Sequence, residues 1–324
     1  MKVTAFIGSG RKRHSYIACE KFVQNLQSSG NVDYELVRLS DYNVGTCKGC
    51  RTCFDKGEEY CPFKDDRDKL IAKINDSDGV IFASPNYSFQ VSALMKIFLD
   101  RLGFCFHRPS FFGKTFTSIV VQGIGKGEEY CPFKDDRDKL IAKINDSDGV
   151  IFASPNYSFQ VSSLMKIFID RLAFCFHRPC FFGKTFTSIV VQGIGKGGDI
   201  VKYLDFVGKG LGFNVVKGCC IKTLEPMTEK SQKEFDRIID LQSKKFYAQL
   251  IKKEYPSPSF WWLMVFRMGR TSMHKMLDET WRDYTYYRDK GWFESDYFYP
   301  VKLNPFMKLT GKIFDKLALQ IIRS

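Results

Sequence analysis

Short apolar runs alternate along the chain with segments in which apolar residues recur at helical spacing. The run Lys2–Gly8 is typical of a buried strand, and the spacing in Tyr16–Gln27 predicts a helix. Further predicted strands are Tyr34–Asp41, Gly79–Pro85, Thr115–Gly123 and Phe213–Lys222, and further predicted helices are Asp65–Asn75, Ser92–Leu102 and Ile200–Leu211. Because continuous apolar strands alternate with helices, the pattern predicts a parallel sheet with helices on both faces.

A tandem repeat occupies the middle of the chain. Residues 57–126 (the first copy) recur as residues 127–196 (the second copy). Only four positions differ, namely Ala93/Ser163, Leu99/Ile169, Gly103/Ala173 and Ser110/Cys180. Such near-identity indicates a recent duplication within one gene or, as the alternative, an error of sequence assembly. Each copy reads as helix, strand, helix and strand, so right-handed crossovers could add the second copy to the same sheet.

The character of the chain changes from Pro226 onward. Glu229–Lys253 has the pattern of a long amphipathic helix, and an aromatic tail with four tryptophans follows. We predict that residues 226–324 form a helical extension that packs on the domain 1–225 or on a second subunit. The segment Phe260–Arg270 is amphiphilic and basic, so contact of the tail with a membrane surface is the less favoured alternative.

Composition and charge narrow the class of protein. The chain is 44% hydrophobic and 26% charged, as globular proteins are. Its net charge of +13 does not indicate nucleic acid, because the basic residues are scattered among acidic ones and no nucleic-acid-binding motif is present. The N-terminal sequence lacks the apolar core of a secretory signal, and no apolar run is long enough to span a bilayer. We therefore expect a cytoplasmic protein whose eleven cysteines do not form a disulfide framework.

The loop Gly8–Tyr16 follows the first predicted strand and precedes a helix. Its glycines permit a tight turn, while Ser9, Ser15 and Arg11 offer hydroxyls and a cation. Together with the amides of the helix N-terminus, these groups suit a phosphate monoester. The loop matches neither a Walker A motif nor a dinucleotide fingerprint, and an ordinary basic turn is the alternative.

Two more loops follow predicted strands. "SPNYSFQVS", Ser84–Ser92, combines aromatic side chains with small polar groups, a mixture that suits a flat heteroaromatic ring. A hairpin-like loop with its aromatics folded onto the core is the alternative. The glycine loop Gln122–Glu129 is a weaker signal. In a parallel sheet such loops lie together at the carboxyl ends of the strands.

The set of motifs resembles the flavodoxin-like NADPH-dependent FMN reductase family, and within it the iron–sulfur flavoproteins. The resemblance rests on the following stretches: Gly8–Arg11, the cysteine motif Cys47–Cys61 with Asp65 and Asp66, Ser84–Tyr87, Met95–Arg101, and "FFGKTFTSIVVQGIG" before and within the glycine loop. It covers about Met1–Lys222 once the repeat is allowed for.

The resemblance implies that FMN is bound without a covalent link and accepts hydride from NAD(P)H. The implied phosphate contacts are Ser9, Arg11, Ser15 and Tyr16, and the implied ring contacts are Pro85, Asn86, Tyr87, Ser88, Phe89, Gln122, Gly123 and Gly125. Tyr16 and His14 stand where the family often has Thr and Gly. We expect the first copy to form this site, and a site built from Ser154–Phe159 of the second copy is the rival model.

Four cysteines are clustered within fifteen residues. Cys47, Cys50, Cys53 and Cys61 fit a [4Fe–4S] cluster, in which each thiolate ligates one iron. Zinc and free thiols remain alternatives, although zinc usually takes two separated cysteine pairs. Cys131, the repeat of Cys61, lacks the other three. The sequence pattern of Cys19, Cys105, Cys175 and Cys180 predicts small buried apolar residues.

These observations predict a flavodoxin-like three-layer α/β/α fold with strand order 2-1-3-4-5, enlarged by the duplicated block to 2-1-3-4-3′-4′-5. The expected function is NAD(P)H oxidoreduction through FMN to a small acceptor such as a flavin or quinone. A non-catalytic electron carrier that serves a protein partner is the alternative. The resemblance also implies a homodimer.

Overall fold

The computed structural model describes residues 1–106, 108–122, 136–193, 195–224, 226–252 and 254–323, with only the backbone given at 106 and 323. The chain forms two compact units. Unit 1 comprises Met1–Gly125, Ser154–Ala173 and Val190–Ile200, and unit 2 comprises Lys126–Ala153, Phe174–Ile189 and Val201–Ser324. The predicted division into 1–225 and 226–324 stays a prediction.

Strands and helices alternate through the first two thirds of the chain, and helices follow. The strands are β1 (Lys2–Ile7), β2 (Asp33–Arg38), β3 (Gly79–Tyr87), β4 (Gln90–Val91), β5 (Thr115–Val121), β6 (Gly149–Tyr157), β7 (Gln160–Val161), β8 (Thr185–Gln192), β9 (Asn214–Val215) and β10 (Cys219–Lys222). The helices are α1 (His14–Ser29), α2 (Thr52–Asp55), α3 (Arg67–Asn75), α4 (Ala93–Arg101), α5 (Arg137–Asn145), α6 (Ser163–Arg171), α7 (Phe174–His177), α8 (Gly197–Gly210), α9 (Glu229–Leu250), α10 (Phe260–Met276), α11 (Arg282–Asp289) and α12 (Pro305–Arg323). Short 3-10 helices lie at Leu39–Asp41, Glu58–Tyr60 and Gly103–Phe106.

The first sheet has the order β2-β1-β3, with β5 on the far side of β3. All of these pairings are parallel. The order reproduces the first four strands of a flavodoxin-like sheet, 2-1-3-4. Two apolar clusters cover its faces. In one, Phe6 of β1 packs with residues of α3 and with Phe98 of α4, and in the other, Ile7 of β1 and Ile81 of β3 pack with residues of α1. The predicted α/β class with helices on both faces is therefore confirmed.

The second sheet has the order β10-β8-β6, and the two-residue strand β9 pairs with β8 in parallel. It contains the second-copy strands β6 and β8 and the strands that follow the repeat. The described residues therefore form two sheets, and the prediction of a single enlarged sheet, 2-1-3-4-3′-4′-5, is wrong. The sequence pattern predicts where each strand lies, but identical strands offer identical edges, so local pattern cannot decide which strand pairs with which.

Helix α9 packs against the second sheet. The Gln242 side chain donates to Thr187 Oγ1 (2.7 Å) and to the Lys217 carbonyl (3.0 Å). Phe246 lies so close to Gly149 of β6 that a Cβ there would come within 2.7 Å of its ring. The predicted amphipathic helix thus forms and packs its apolar side on this sheet.

Helices α4 and α6, which are copies of each other, make reciprocal contacts within unit 1. Asp100 Oδ2 accepts from the Ser163 amide (2.9 Å), and Asp170 Oδ2 accepts from the Ala93 amide (3.0 Å). Lys96 pairs with Asp100 and donates to the Tyr157 carbonyl; in the same way, Lys166 pairs with Asp170 and donates to the Tyr87 carbonyl. Burial lowers the pKa of both lysines and raises that of Asp170. The two copies therefore form a pseudo-symmetric pair inside one chain.

The last three helices pack around aromatic residues. Their core includes Leu263, Phe266, Tyr287, Trp292 and Tyr297. Asp315 of α12 accepts hydrogen bonds from Arg270 (2.9 Å), Thr271 (2.7 Å) and Arg267. None of the helices in the described ranges is long and apolar enough to cross a membrane.

Candidate functional site

The carboxyl ends of β1, β3 and β5 lie side by side in the first sheet. Strand order reverses at β1, since β2 flanks it on one side and β3 on the other. A crevice at such a reversal is where open α/β sheets bind ligands. The loop after β1, the turn after β3 and the segment after β5 all leave from this edge.

The Gly8–Tyr16 loop leads from β1 into α1. Gly8 is held between β3 and α4: its amide donates to the Ala83 carbonyl (2.8 Å), and Ser92 Oγ donates to its carbonyl (2.5 Å). A Cβ on Gly8 would lie 2.7 Å from that of Met95, so the close approach requires glycine. The space beside Gly10 is open.

The hydroxyl and basic groups of this loop lie where the sequence suggests. Ser9 and Ser15 are buried, and the Arg11 amide donates to Ser9 Oγ (3.3 Å). Helix α1 has no acidic residue in its first turn, so its N-terminus favours an anion. Tyr16 packs against the apolar cluster under α1, and the Lys12 ammonium lies 5.5 Å from its ring centre. The loop therefore has the composition and polarity of an anion site, although phosphate binding by these residues stays a prediction.

The Ser84–Ser92 segment forms a hairpin. β3 extends to Tyr87, and Asn86 and Tyr87 pair antiparallel with Val91 and Gln90. Ser88 and Phe89 form the turn with positive φ values of 47° and 64°. The sequence alternative of a hairpin is thus correct, but the aromatics do not fold onto the core. Phe89 is 52% exposed and Tyr87 is 38% exposed, which leaves aromatic surface at the carboxyl edge.

Of the other residues implied to contact the flavin ring, Pro85 and Gln122 lie within the described residues. Pro85 is paired with Val121 at the end of β5, and Gln122 follows directly. Gly123 and Gly125 lie outside the described residues.

The corresponding turn of the second copy lies against the cysteine loop. The Tyr157 hydroxyl is so close to Gly49 that a Cβ on this glycine would overlap it. Burial, and then the nearby Cys47, Asp100 and Cys50, raise the pKa of Tyr157. The first-copy strand, in contrast, is the one that pairs with β1. This arrangement favours the first copy as partner of the Gly8–Tyr16 loop. The sequence did not predict that Tyr157 contacts the cysteine loop, because the repeat has the same residues in both copies.

The two aspartates of the cysteine motif anchor the loop that carries the thiols. Asp66 accepts from the Asn43 amide (2.8 Å), and Asp65 accepts from the Gly45 amide (2.9 Å). Asp65 also pairs with Arg101 at 3.0 Å, where both side chains are nearly buried. The motif residues Asp65, Asp66 and Arg101 thus have a positioning role that spacing alone did not reveal.

The four clustered cysteines differ in environment. Cys50 is exposed and lies 3.3 Å from the Thr52 hydroxyl, and this hydrogen bond lowers its pKa. Burial raises the pKa of Cys47. Burial, followed by the charges of Cys47, Cys61 and Cys50, raises the pKa of Cys53.

No three His, Cys, Asp or Glu side chains in the described part of the chain converge on a point that could hold a single metal ion. A [4Fe–4S] cluster distributes four thiolates over four irons, and an all-thiol donor set matches its chemistry. Binding of a cluster by Cys47, Cys50, Cys53 and Cys61 stays a prediction, with zinc and free thiols as its alternatives.

The parallel strand order of the first sheet, with helices on both faces and loops leaving its switch point, defines a flavodoxin-like α/β protein. The sequence matches the family model described as NADPH-dependent FMN reductase over residues 1–128 and again over 123–221. The chain therefore belongs to this family, and the two matched segments agree with the duplication.

Curated relatives carry the name iron–sulfur flavoprotein. Two come from Archaeoglobus fulgidus, with 41% identity over 135 residues and 29% over 133 residues, and one comes from Methanosarcina thermophila, with 32% over 104 residues. These matches cover 41%, 39% and 31% of this chain. They span only 60%, 62% and 52% of the relatives' own lengths.

Solved structures give distant matches. A putative quinone reductase from Klebsiella pneumoniae is 17% identical, with 75% of this chain and 83% of that chain covered and a TM-score of 0.29. The Trp repressor binding protein from Bacillus subtilis is 21% identical, with 51% and 98% covered and a TM-score of 0.28. At these TM-scores neither match adds to the argument.

Proposed function

We propose that the protein is an FMN-dependent NAD(P)H oxidoreductase that passes electrons to a small acceptor such as a flavin or quinone. The observation that carries the proposal is the meeting of the Gly8–Tyr16 loop and the aromatic turn at the switch point of a sheet in a member of this family. When bound there, FMN would supply hydride acceptance and one- or two-electron release.

The chain's own residues would bind and orient the cofactor. Ser9, Arg11, Ser15 and the first amides of α1 would hold the phosphate, because the loop is basic and its helix has no acid in the first turn. Pro85–Phe89 would present the exposed Tyr87 and Phe89 rings and the turn amides to the flavin ring. Gln122 would approach it from the end of β5. Gly8 sets the depth of the loop, since a side chain would push it away from α4.

Turnover tests this proposal. Purified protein should consume NADPH or NADH when FMN and a quinone are added, and its flavin should bleach under anaerobic conditions. The non-catalytic carrier would bind FMN and accept electrons from a protein partner but would not consume NAD(P)H. Flavin binding without NAD(P)H consumption would therefore favour the carrier, and no flavin binding would contradict both.

A matched pair of variants tests which copy forms the site. Phe89→Ala should weaken FMN binding by about tenfold, because a stacked aromatic contributes about 1 kcal/mol beyond its buried area. Phe159→Ala, the same change in the second copy, should leave FMN affinity unchanged. Titration of FMN fluorescence measures both. The reverse result would support the rival model that uses Ser154–Phe159.

We also assign Cys47, Cys50, Cys53 and Cys61 to a [4Fe–4S] cluster as part of this proposal. Anaerobically purified protein should contain about four irons and four acid-labile sulfides per chain. Cys53→Ser should abolish both, whereas Cys19→Ser, a buried cysteine away from the motif, should change neither. A yellow protein without iron would contradict the cluster and leave the flavin proposal intact.

Three further expectations belong to this proposal. A homodimer is expected for the family, and small molecules rather than nucleic acids are the expected partners. A cytoplasmic location accords with the chemistry, because all ten cysteines in the described ranges are free thiols and a reducing compartment preserves them.

A further inference from the structure

Two cysteines outside the flavin and cluster motifs lie side by side in unit 2. Cys175 is in the short helix α7, and Cys180 is in the loop that follows it. Their Sγ atoms are 3.6 Å apart, within thiol hydrogen-bond distance. Cys175 is fully buried, whereas Cys180 is exposed, so the sequence prediction of a buried apolar residue is wrong for Cys180.

Cationic groups surround the exposed thiol. The hydrogen bond with Cys175, and then the charges of Lys290 and Arg178, lower the pKa of Cys180. The hydrogen bond with Cys180 and burial raise the pKa of Cys175. Arg178 is itself buried and is held by Asp283 at 3.4 Å. The exposed Cys180 and the buried Cys175 beside it suit the roles of an attacking and a resolving cysteine.

The tandem repeat supplies an internal comparison for this pair. Cys180 is one of only four positions at which the copies differ, and its first-copy counterpart is Ser110. There Cys105 Sγ lies 3.7 Å from Ser110 Oγ, so the backbone brings the two side chains equally close. The difference between the copies therefore turns a cysteine–serine contact of 3.7 Å into a cysteine–cysteine contact of 3.6 Å.

We propose that Cys175 and Cys180 form a redox-active dithiol that reacts with small-molecule disulfides. The geometry carries the inference: the exposed Cys180 can be reached from solvent, and the buried Cys175 lies within 3.6 Å to complete the exchange.

The reaction balances as a thiol–disulfide exchange. The Cys180 thiolate attacks one sulfur of a disulfide RS–SR, which forms a mixed disulfide on Cys180 and releases RS⁻. Cys175 then loses its proton to RS⁻ and attacks Cys180 Sγ, which forms the Cys175–Cys180 bond and releases the second RS⁻. The dithiol loses two electrons and the small disulfide gains them; the first RS⁻ leaves as a thiol with the Cys175 proton, and the second takes one proton from solvent, which replaces the proton that Cys180 released on ionising.

Differential alkylation of the full-length protein tests the proposal. The protein is incubated with oxidised glutathione, free thiols are blocked, and the tryptic peptide 172–184 is compared with its first-copy equivalent, 102–114. Peptide 172–184 should lose both alkylation sites together and appear lighter by two hydrogens, and dithiothreitol should restore them. Peptide 102–114, which has one cysteine, is the control in the same digest and should stay alkylated.

Two variants exchange the chemistry between the copies. Cys180→Ser gives the second copy the first-copy residue. It should abolish closure, that is, formation of the Cys175–Cys180 disulfide, without raising the reactivity of the Cys175 thiol. Ser110→Cys should create a second closing pair in peptide 102–114. Lys290→Gln should slow closure by up to about tenfold, because thiolate fraction sets the rate.

The outcomes are decisive in either direction. Circular dichroism establishes that each variant is folded before its thiols are compared. The proposal is overturned if peptide 172–184 remains fully alkylated after oxidation, or if Cys180 is recovered only as the glutathione mixed disulfide. Closure in the wild type together with its loss in Cys180→Ser supports it.

Discussion

The two copies of the repeat have almost the same sequence but different surroundings. In β3 of the first copy, Ile81 is 2% exposed, because β1 and β5 flank the strand and α1 covers it. The same residue in β6, Ile151, is 50% exposed, and no strand of the described residues takes the place of β1 beside it. Identical side chains are thus core in one copy and surface in the other, which shows that pattern defines a strand but not its burial.

The last strand of each copy, β5 in the first and β8 in the second, shows the opposite difference. Phe116 of β5 is 60% exposed at the open edge of the first sheet. Its counterpart Phe186 of β8 is fully buried, with Phe152 and Phe213 rings at 5.0 Å and 5.3 Å and α8 packed so closely that Gly208 has no room for a Cβ. The segment that follows the repeat can cover only one copy of this strand, and it covers the second.

The largest effect should come from the two phenylalanines. Phe186→Ala should lower the free energy of unfolding by about 3–5 kcal/mol, because it opens a cavity in a packed core. Phe116→Ala should lower it by less than about 1 kcal/mol, since the exposed ring loses little buried area. Urea unfolding followed by circular dichroism measures both. Equal losses would mean that β5 is covered as β8 is.

An intermediate effect should distinguish β3 from β6, and here the variant in the first copy should lose more stability. Ile81→Ala should cost about 2–5 kcal/mol, whereas Ile151→Ala should cost less than about 1 kcal/mol. The same unfolding experiment applies, and the wild-type slope with urea serves as the check that the unfolded state is unchanged. A larger loss of stability for Ile151→Ala than for Ile81→Ala would contradict the conclusion that β3, and not β6, is the buried strand flanked on both sides.

The smallest effects should come from the two serines that cap α4 and α6. Ser92 and Ser162 cap α4 and α6, each accepting from the amide three residues on at 3.3 Å. Ser162→Ala should cost about 1 kcal/mol, as lost N-caps usually do. Ser92→Ala should cost at least as much, because Ser92 also donates to Gly8. Hydrogen exchange at the first turn of each helix measures local opening. Faster exchange in only one of the two variants would contradict the prediction that both serines stabilise the first turn of their helices.

The segments of the candidate site follow the sequence only in part. The Gly8–Tyr16 loop links β1 to α1 as its pattern predicts, whereas β3 continues beyond the predicted end at Pro85 to Tyr87, and Cys53 lies in the short helix α2. The roles of Asp65 and Arg101 in holding the cysteine loop, and the position of Tyr157 beside Gly49, required the fold. These contacts join residues far apart in the chain, and no local spacing encodes them.

By itself, the sequence determined the elements, the α/β class and the family, because hydrophobic period and loop chemistry are local properties. It also determined that the chain contains two nearly equal copies of one unit. Only the tertiary structure decided how those copies are used. A strand of given sequence can pair at either edge, and its burial depends on which neighbours reach it, so the repeat left several pairings open. The flanking segments settled the choice: the N-terminal strands completed the first copy, and the C-terminal elements completed the second.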